Sequence, residues 1–237
     1  MNNTQYQKFL NNPDTFLNDV NNVSQMRLNG SMSAIIANTT SRTVTHPGCV
    51  PLHYQYSAAR VVPVTIKHDK TTIPATSALW VSRQDQTGTV QKDRAYYLQW
   101  GSDNAYAVEL GTDAQLFFTA ELTGCGILIF SAPNKVIVVH HNIQVAPVQQ
   151  NKLQKIFESN TAFNRRDTAN REKERDCALH NLAYHIIDST PEITGGNQIS
   201  VKDYGDKARV FGVRRGGWRI YLNRKGTNDY VTEKVFG

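Results

Sequence analysis

The chain has 237 residues, 40% of them hydrophobic and 19% charged, and its formal net charge is +6. This length and composition are typical of a globular protein that buries a substantial core in one large or two small domains. No stretch approaches the roughly 20 apolar residues of a transmembrane helix. The polar N-terminus also lacks the apolar core of a secretory signal, so neither a membrane span nor signal-dependent export is expected.

The first composition shift comes near residue 45. Residues 1–45 are rich in Asn, Ser and Thr, with a short helix predicted at Thr15–Val20, and they are interpreted as an N-terminal cap or partly mobile arm. Residues 46–237 are predicted to form a single domain.

The segment from Ala59 to His141 has a residue pattern typical of β-strands. The clearest runs are 60–66, 78–81, 95–100, 114–119, 126–130 and 135–139. Pro63 assigns the first run to a sheet edge or a bulge, because proline cannot donate to a neighbouring strand.

Residues 149–188 are predicted to be helical. Two apolar stripes carry the signal, formed by Leu153, Ile156 and Phe157 and by Leu179, Leu182, Ala183 and Ile186. A second hairpin is predicted from 208–213 and 218–222 across the turn at 214–217. The fold class predicted is α+β, with a β-sandwich-like core of mixed strands and flanking helices.

A hairpin with a cysteine at one end and a histidine at the other is the strongest chemical signal. Pairing across the turn at 131–134 places Cys125 opposite Asn142, and His140 is then its diagonal neighbour on the same face. Diagonal neighbours lie about 7–8 Å apart, within reach of a ring side chain. His141 then points to the other face. A thiol and an imidazole at this distance are the minimum equipment of a thiol nucleophile and its base.

Two other interpretations of this hairpin stay open. A lone cysteine on an apolar strand is usually a small buried hydrophobic residue. A slip of one residue in the turn would exchange His140 and His141.

The residues around the hairpin resemble a known family. Leu122-Thr123-Gly124-Cys125 is similar to the Leu-Ser/Thr-Gly-Cys motif of the cytotoxic necrotizing factor deamidases. The runs 116–119 and 97–100 resemble the Burkholderia lethal factor, a small glutamine deamidase toxin of the same fold. His140 follows Cys125 by 15 positions, which matches the necrotizing factor pattern, whereas the Burkholderia toxin has a shorter connection. The resemblance covers about residues 95–142.

This resemblance implies a deamidase domain at residues 46–237, with Cys125 as nucleophile, His140 as base and Thr119 as the residue that orients the imidazole. The thiolate would attack a glutamine carboxamide, and water would hydrolyse the thioester to glutamate. Backbone N–H groups near Cys125 would stabilise the oxyanion, and Gly124 and Gly126 would let a backbone approach closely. No metal or organic cofactor is required.

The biological role implied is that of a bacterial virulence toxin or effector, a hydrolase that acts in the host cytosol after secretion or injection. The protein partner would be a translation initiation helicase, with host translation inhibited, or a Rho GTPase. Either export does not use a signal peptide or the chain belongs to a larger toxin. Substrate choice is expected in the loops at 83–93 and 101–104.

The three cysteines support the same cytosolic setting. Cys49, Cys125 and Cys177 are odd in number and widely separated, so a disulfide framework is not expected and a reducing site of action is favoured.

Other functions compete with deamidation. A cysteine protease or a transglutaminase could use the same pair. A non-catalytic nucleic-acid-binding module is suggested by the basic cluster Arg209, Arg214, Arg215, Arg219, Arg224 and Lys225, although aromatic and Arg residues are not interleaved as in RNA-binding strands. A solvated basic hairpin explains that cluster more simply, and nucleic acid is an unlikely partner.

Two further His and Cys groups are discounted. His46, Cys49 and His53 match no firm zinc spacing. Cys177, His180 and His185 are explained by core packing and surface exposure, since only the first two share a helix face.

Overall fold

Two face-to-face β-sheets, with helices on their outer faces, make up the computed structural model. The structure describes residues 1–19, 24–29, 39–44, 52–57, 61–70, 77–83, 88–143, 149 and 159–237. The predicted α+β class, with a β-sandwich-like core and flanking helices, is confirmed.

The first sheet has eight strands. In spatial order they are β1 (Gln25–Leu28), β5 (Ala78–Ser82), β4 (Val61–Asp69), β6 (Gln91–Leu98), β8 (Leu116–Thr119), β12 (Ala208–Arg214), β13 (Trp218–Lys225) and β14 (Tyr230–Phe236). The β1–β5 and β6–β8 pairs are parallel and the others are antiparallel.

The second sheet has six strands. In spatial order they are β11 (Gly195–Ile199), β9 (Gly126–Ala132), β10 (Lys135–Asn142), β7 (Asn104–Leu110), β3 (Leu52–Ser57) and β2 (Thr39–Val44). The β3–β7 pair is parallel. The hairpin of β9 and β10 lies inside this sheet, flanked by β11 and β7, so the strand run that follows Cys125 is fully paired.

Apolar side chains from both sheets meet between them. This inner core includes Tyr96 and Phe117 from the eight-stranded sheet and Ile127, Ile129 and Val138 from the six-stranded sheet. Strand side chains alternate in direction, so residues at odd positions of β9 and even positions of β10 face this core.

Two N-terminal helices cover the outer face of the eight-stranded sheet. They are α1 (Asn3–Asn11) and α2 (Pro13–Asn18). Asn2 and Gln5 form a capping box that satisfies free N–H groups of α1, and Pro13 begins α2, where its missing N–H costs nothing. Phe9, Leu10 and Leu17 are fully buried against the sheet.

The long helix α3 (Asn160–Ser189) packs on the outer face of the six-stranded sheet. Ala178, Leu179, Leu182 and Ile186 form its buried stripe. The short helix α4 (Val201–Tyr204) follows β11. Among the described residues, no helix has the length and apolar character needed to cross a membrane.

The sequence predicted most of these elements, with several differences. The hairpin of β12 and β13 is confirmed, and α2 overlaps the helix predicted at Thr15–Val20. Helix α1 was missed, because its stripe is short and the segment is rich in Asn. The apolar stripe of Leu153, Ile156 and Phe157 lies outside the described residues, as does the helix predicted over 150–158.

The described part of residues 1–45 contributes to both sheets, through β1 and β2, as well as forming α1 and α2. In the predicted loop at 83–93, residues 84–87 lie outside the described part, and β6 begins at Gln91.

Candidate active site

Cys125 lies on the turn that leads into β9. Gly124 adopts a φ of +91°, a conformation that L side chains rarely adopt, and this sharp turn places Cys125 one residue before the strand. The thiol is free, and the residue is 4% exposed. Cys125 packs in the inner core with Ile127 and Ile129.

The hairpin register decides which histidine shares the face of Cys125. Ala132 pairs with Lys135 and Ile127 pairs with His140, so the predicted register is confirmed. His140 therefore points to the inner face together with Cys125. His141 pairs with Gly126 and points to the outer face, where its ring lies against Gly126 and leaves no room for a side chain there.

The His140 imidazole is a buried neutral base. It is 1% exposed, and within the described part of the chain neither ring nitrogen has a hydrogen-bond partner of normal geometry. Burial lowers its pKa to about 3, with a smaller contribution from His141, while the Gln99 carbonyl opposes the shift. At neutral pH the ring is therefore uncharged.

The Cys125 thiol is held neutral in the resting protein. Burial raises its pKa, and this effect is opposed by the backbone N–H of Thr123 and by the indole of Trp100. The Trp100 Nε1–H donates to Cys125 Sγ at 2.9 Å. In the resting protein the thiol and the imidazole are therefore both neutral, and the Trp100 indole and the Thr123 backbone both lower the pKa of the thiol.

Thr119 is fully buried at the end of β8, but its hydroxyl is used elsewhere. It donates to the Ala120 carbonyl at 2.8 Å and accepts from the Val210 N–H at 3.4 Å. The hydroxyl makes no hydrogen bond to His140 in the described part of the structure. The group found to act on the imidazole is instead the Gln99 carbonyl, one residue before Trp100.

Tyr204 of α4 clamps the turn that carries Cys125. Its hydroxyl donates to the Cys125 carbonyl at 2.6 Å and accepts from the Gly124 N–H at 3.1 Å. Burial is the main cause that raises its pKa to about 12, so the hydroxyl stays protonated and able to donate. The sequence did not predict this role of Tyr204, because no local pattern around it indicates a contact with Cys125, 79 residues away.

Further contacts fix the segment between β8 and β9. Leu122 exchanges two backbone hydrogen bonds with Ala208, and Glu121 forms an ion pair with Arg209 at 2.8 Å. Strand β12, together with Tyr204, therefore holds the segment that leads to Cys125 in place.

A cavity of about 590 Å³ opens beside this turn. Its walls come from the turn, the outer face of β9 and β10, helix α3 and helix α4. Cys125, Gly124 and His141 are among the lining residues, together with Leu179, Glu172 and Lys202. A Cβ added at Gly124 would meet nothing within 4 Å, so the space next to the nucleophile is open.

No disulfide framework is expected from the sequence, yet Cys177 is disulfide-bonded, whereas Cys125 is free. Sequence spacing gives no signal for such a bond, because a single link between distant segments depends on the tertiary fold. His180 is exposed, and His185 is half-buried with its ring edge-on to Tyr54. His46, Cys49 and the His53 side chain lie outside the described residues. Among those described, no group of three His, Cys, Asp or Glu residues could hold a metal ion.

The basic cluster of the second hairpin is largely engaged within the molecule. Arg209 donates to the Met26 carbonyl, Arg215 to Gln7, and Arg219 to the Leu10 carbonyl. Arg224 pairs with Glu233 at 3.0 Å. These contacts tie the hairpin to the N-terminal helices and to other strands, and the carboxylates of Glu121 and Glu233 neutralise Arg209 and Arg224 within the cluster.

No protein-family model matches the chain, and no curated protein matches it.

Proposed function

We propose that this protein is a bacterial toxin or effector that deamidates a specific glutamine of a host protein to glutamate. The observation that carries the proposal is the placement of the free Cys125 thiol and the neutral His140 imidazole on one face of the β9–β10 hairpin. The resemblance of Leu122–Cys125 to the deamidase motif supports the same reaction, in which no cofactor takes part.

The reaction begins with proton transfer from Cys125 to His140. The thiolate attacks the carboxamide carbon, a C–S bond forms, and the carbonyl electron pair moves to oxygen. The imidazolium then gives its proton to the departing nitrogen, and ammonia leaves as the thioester forms. His140 next removes a proton from water, which attacks the thioester. Glutamate is released and the thiol recovers its proton.

The open space beside Gly124 lies on the side of His141 and not of His140, and it would bring a glutamine side chain to the turn that carries Cys125. Glutamine is long and thin, and the missing side chain at Gly124 lets substrate backbone approach the turn. Among the classes of host protein, a translation initiation helicase and a Rho-family GTPase are both compatible with the resemblance. The site would work in the host cytosol after delivery from the bacterium.

The proposal is tested by mass spectrometry of host-cell lysate treated with wild-type protein or with Cys125→Ser. The expected result is a glutamine converted to glutamate by the wild type alone, because oxygen in place of sulfur removes the nucleophile but keeps the shape. His140→Asn should behave like Cys125→Ser, whereas His185→Asn, on helix α3 and outside the cavity lining, should cost far less activity.

Retained conversion in a folded Cys125→Ser variant would overturn the proposal. Cleaved substrate would identify a cysteine protease, and a substrate glutamine linked to an added amine would identify a transglutaminase. Iodoacetamide labelling of wild-type Cys125 in parallel shows that the thiol is competent in the sample.

A further inference from the structure

Trp100 has a largely exposed ring, yet its indole N–H makes a hydrogen bond within the protein. The residue follows β6 and is 44% exposed, although tryptophan is usually well buried. Its indole nitrogen nevertheless lies 2.9 Å from Cys125 Sγ. The other two tryptophans differ, since Trp218 is buried with its N–H on the Gly111 carbonyl and the half-buried Trp80 ring lies under the Arg27 guanidinium at 5.2 Å.

An indole N–H can only donate a hydrogen bond. The sulfur must therefore be the acceptor, and a hydrogen bond to a thiolate is stronger than one to a thiol because the acceptor is charged. The Thr123 backbone also lowers the pKa of the thiol, against the effect of burial. Both groups thus favour loss of the thiol proton toward His140.

The other titratable groups around Cys125 act less directly. Tyr204 bonds to the Cys125 backbone carbonyl, and His140 is the neighbour on the same face. The remaining titratable side chains line the cavity, namely His141, Glu172, Arg175, Asp176, His180, Lys202 and Asp203. Trp100 is the side chain that makes a described hydrogen bond to the sulfur itself.

We propose that Trp100 is a catalytic residue whose indole N–H stabilises the Cys125 thiolate and then the oxyanion of the proposed deamidation. The inference rests on the proposed function for its second half. When sulfur bonds to the carboxamide carbon, negative charge moves from sulfur to the oxygen on that carbon. A donor already at the sulfur then lies next to the new charge and needs no rearrangement.

The first experiment measures the rate of Cys125 alkylation by iodoacetamide as a function of pH. Trp100→Phe keeps an aromatic ring and removes the donor. Loss of one hydrogen bond to a charged group is expected to raise the apparent pKa of alkylation by about one unit or more. Trp80→Phe is the matched control, because it removes an indole elsewhere, and its profile should follow the wild type.

An unchanged or lowered alkylation pKa in folded Trp100→Phe would overturn the inference. The second experiment needs no Trp100 variant. Indole N–H resonances of wild type and Cys125→Ala are compared by ¹⁵N NMR, and one resonance is expected to move while those of Trp80 and Trp218 stay. Three unmoved resonances would also overturn it.

Substrate turnover separates this inference from the proposed function. With a deamidated substrate in hand, Trp100→Phe is expected to lower kcat by about tenfold or more with a smaller change in KM, since the oxyanion forms only during reaction. A shifted alkylation profile without any glutamine deamidation would keep the thiolate role and reject the proposed function. A shifted profile with unchanged kcat would reject the oxyanion role.

Discussion

Individual side chains at the candidate site differ in whether their hydrogen-bonding capacity is used. Tyr204 uses its hydroxyl both as donor and as acceptor on the turn of Gly124 and Cys125. His140 holds ring nitrogens that are buried and unpaired among the described residues, which is costly unless the ring has a chemical role. The proposed function would use the unpaired imidazole for proton transfer and the hydroxyl of Tyr204 to hold the turn in place.

Tyr204→Phe is therefore expected to loosen the nucleophile turn. The change leaves the Cys125 carbonyl and the Gly124 N–H without their partner, at a cost of about 1–2 kcal/mol in unfolding free energy. Urea unfolding measures this cost, and the iodoacetamide rate at Cys125 should rise as the turn opens. Tyr184→Phe is the control, because the Tyr184 side chain is 63% exposed on α3. Equal stability of the two variants would contradict the clamp.

At the level of elements, asparagine side chains substitute for backbone at the sheet edges. Asn223 of β13 accepts from the Met26 N–H at 2.9 Å and donates to the Ser24 carbonyl at 3.1 Å, which joins β1 to the far end of the same sheet. Asn18 of α2 accepts from the Thr232 N–H on edge strand β14. An unpaired edge would otherwise offer its backbone groups to another chain.

Asn223→Leu is expected to open the link between β1 and β13. Two backbone groups of the β1 segment would be buried without partners, since Asn223 itself is 2% exposed. The expected loss is about 2–4 kcal/mol of unfolding free energy, with faster hydrogen exchange at the Met26 amide. Asn197→Leu, at an exposed edge position where the side chain donates to the Val235 carbonyl and accepts from the Gln198 N–H, should cost much less because solvent can replace these partners. Unchanged exchange at Met26 would contradict this role.

At the scale of the molecule, three of the histidines that the structure describes are buried in uncharged form. Burial is the largest cause that lowers the pKa of His68 to about 4, of His140 to about 3 and of His141 to about 4. In the unfolded chain they would bind protons near the ordinary pKa of about 6.5. Between about pH 6.5 and pH 4 the unfolded state therefore holds more protons than the folded state, and acid favours unfolding.

The unfolding free energy is accordingly expected to be highest above about pH 6.5 and to fall as the pH drops toward 4. Each buried histidine contributes a slope of up to about 1.4 kcal/mol per pH unit in this window. Urea unfolding at several pH values gives the slope. His68→Gln should reduce the slope by the contribution of one proton, about 1.4 kcal/mol per pH unit. A flat profile between pH 6.5 and 4.5 would contradict the buried neutral state.

The sequence by itself determined the local part of the site. The turn around Pro133 and Asn134 and the two-residue period of β-strands fix the pairing of β9 with β10, so His140 shares the face of Cys125 and His141 does not. The strand and helix content, and hence the α+β class, also follow from local patterns of apolar residues.

Only the tertiary structure decided what surrounds the thiol. Trp100 and Tyr204 contact Cys125 from 25 and 79 residues away in the sequence. The Gln99 carbonyl, which follows β6, opposes the lowering of the His140 pKa. Thr119 ends a buried strand, and its hydroxyl donates to the Ala120 carbonyl and not to His140. The position of Thr119 in the sequence could not reveal this contact. Such contacts depend on how two sheets and α4 pack together, and packing between distant segments leaves no periodic signal in the chain.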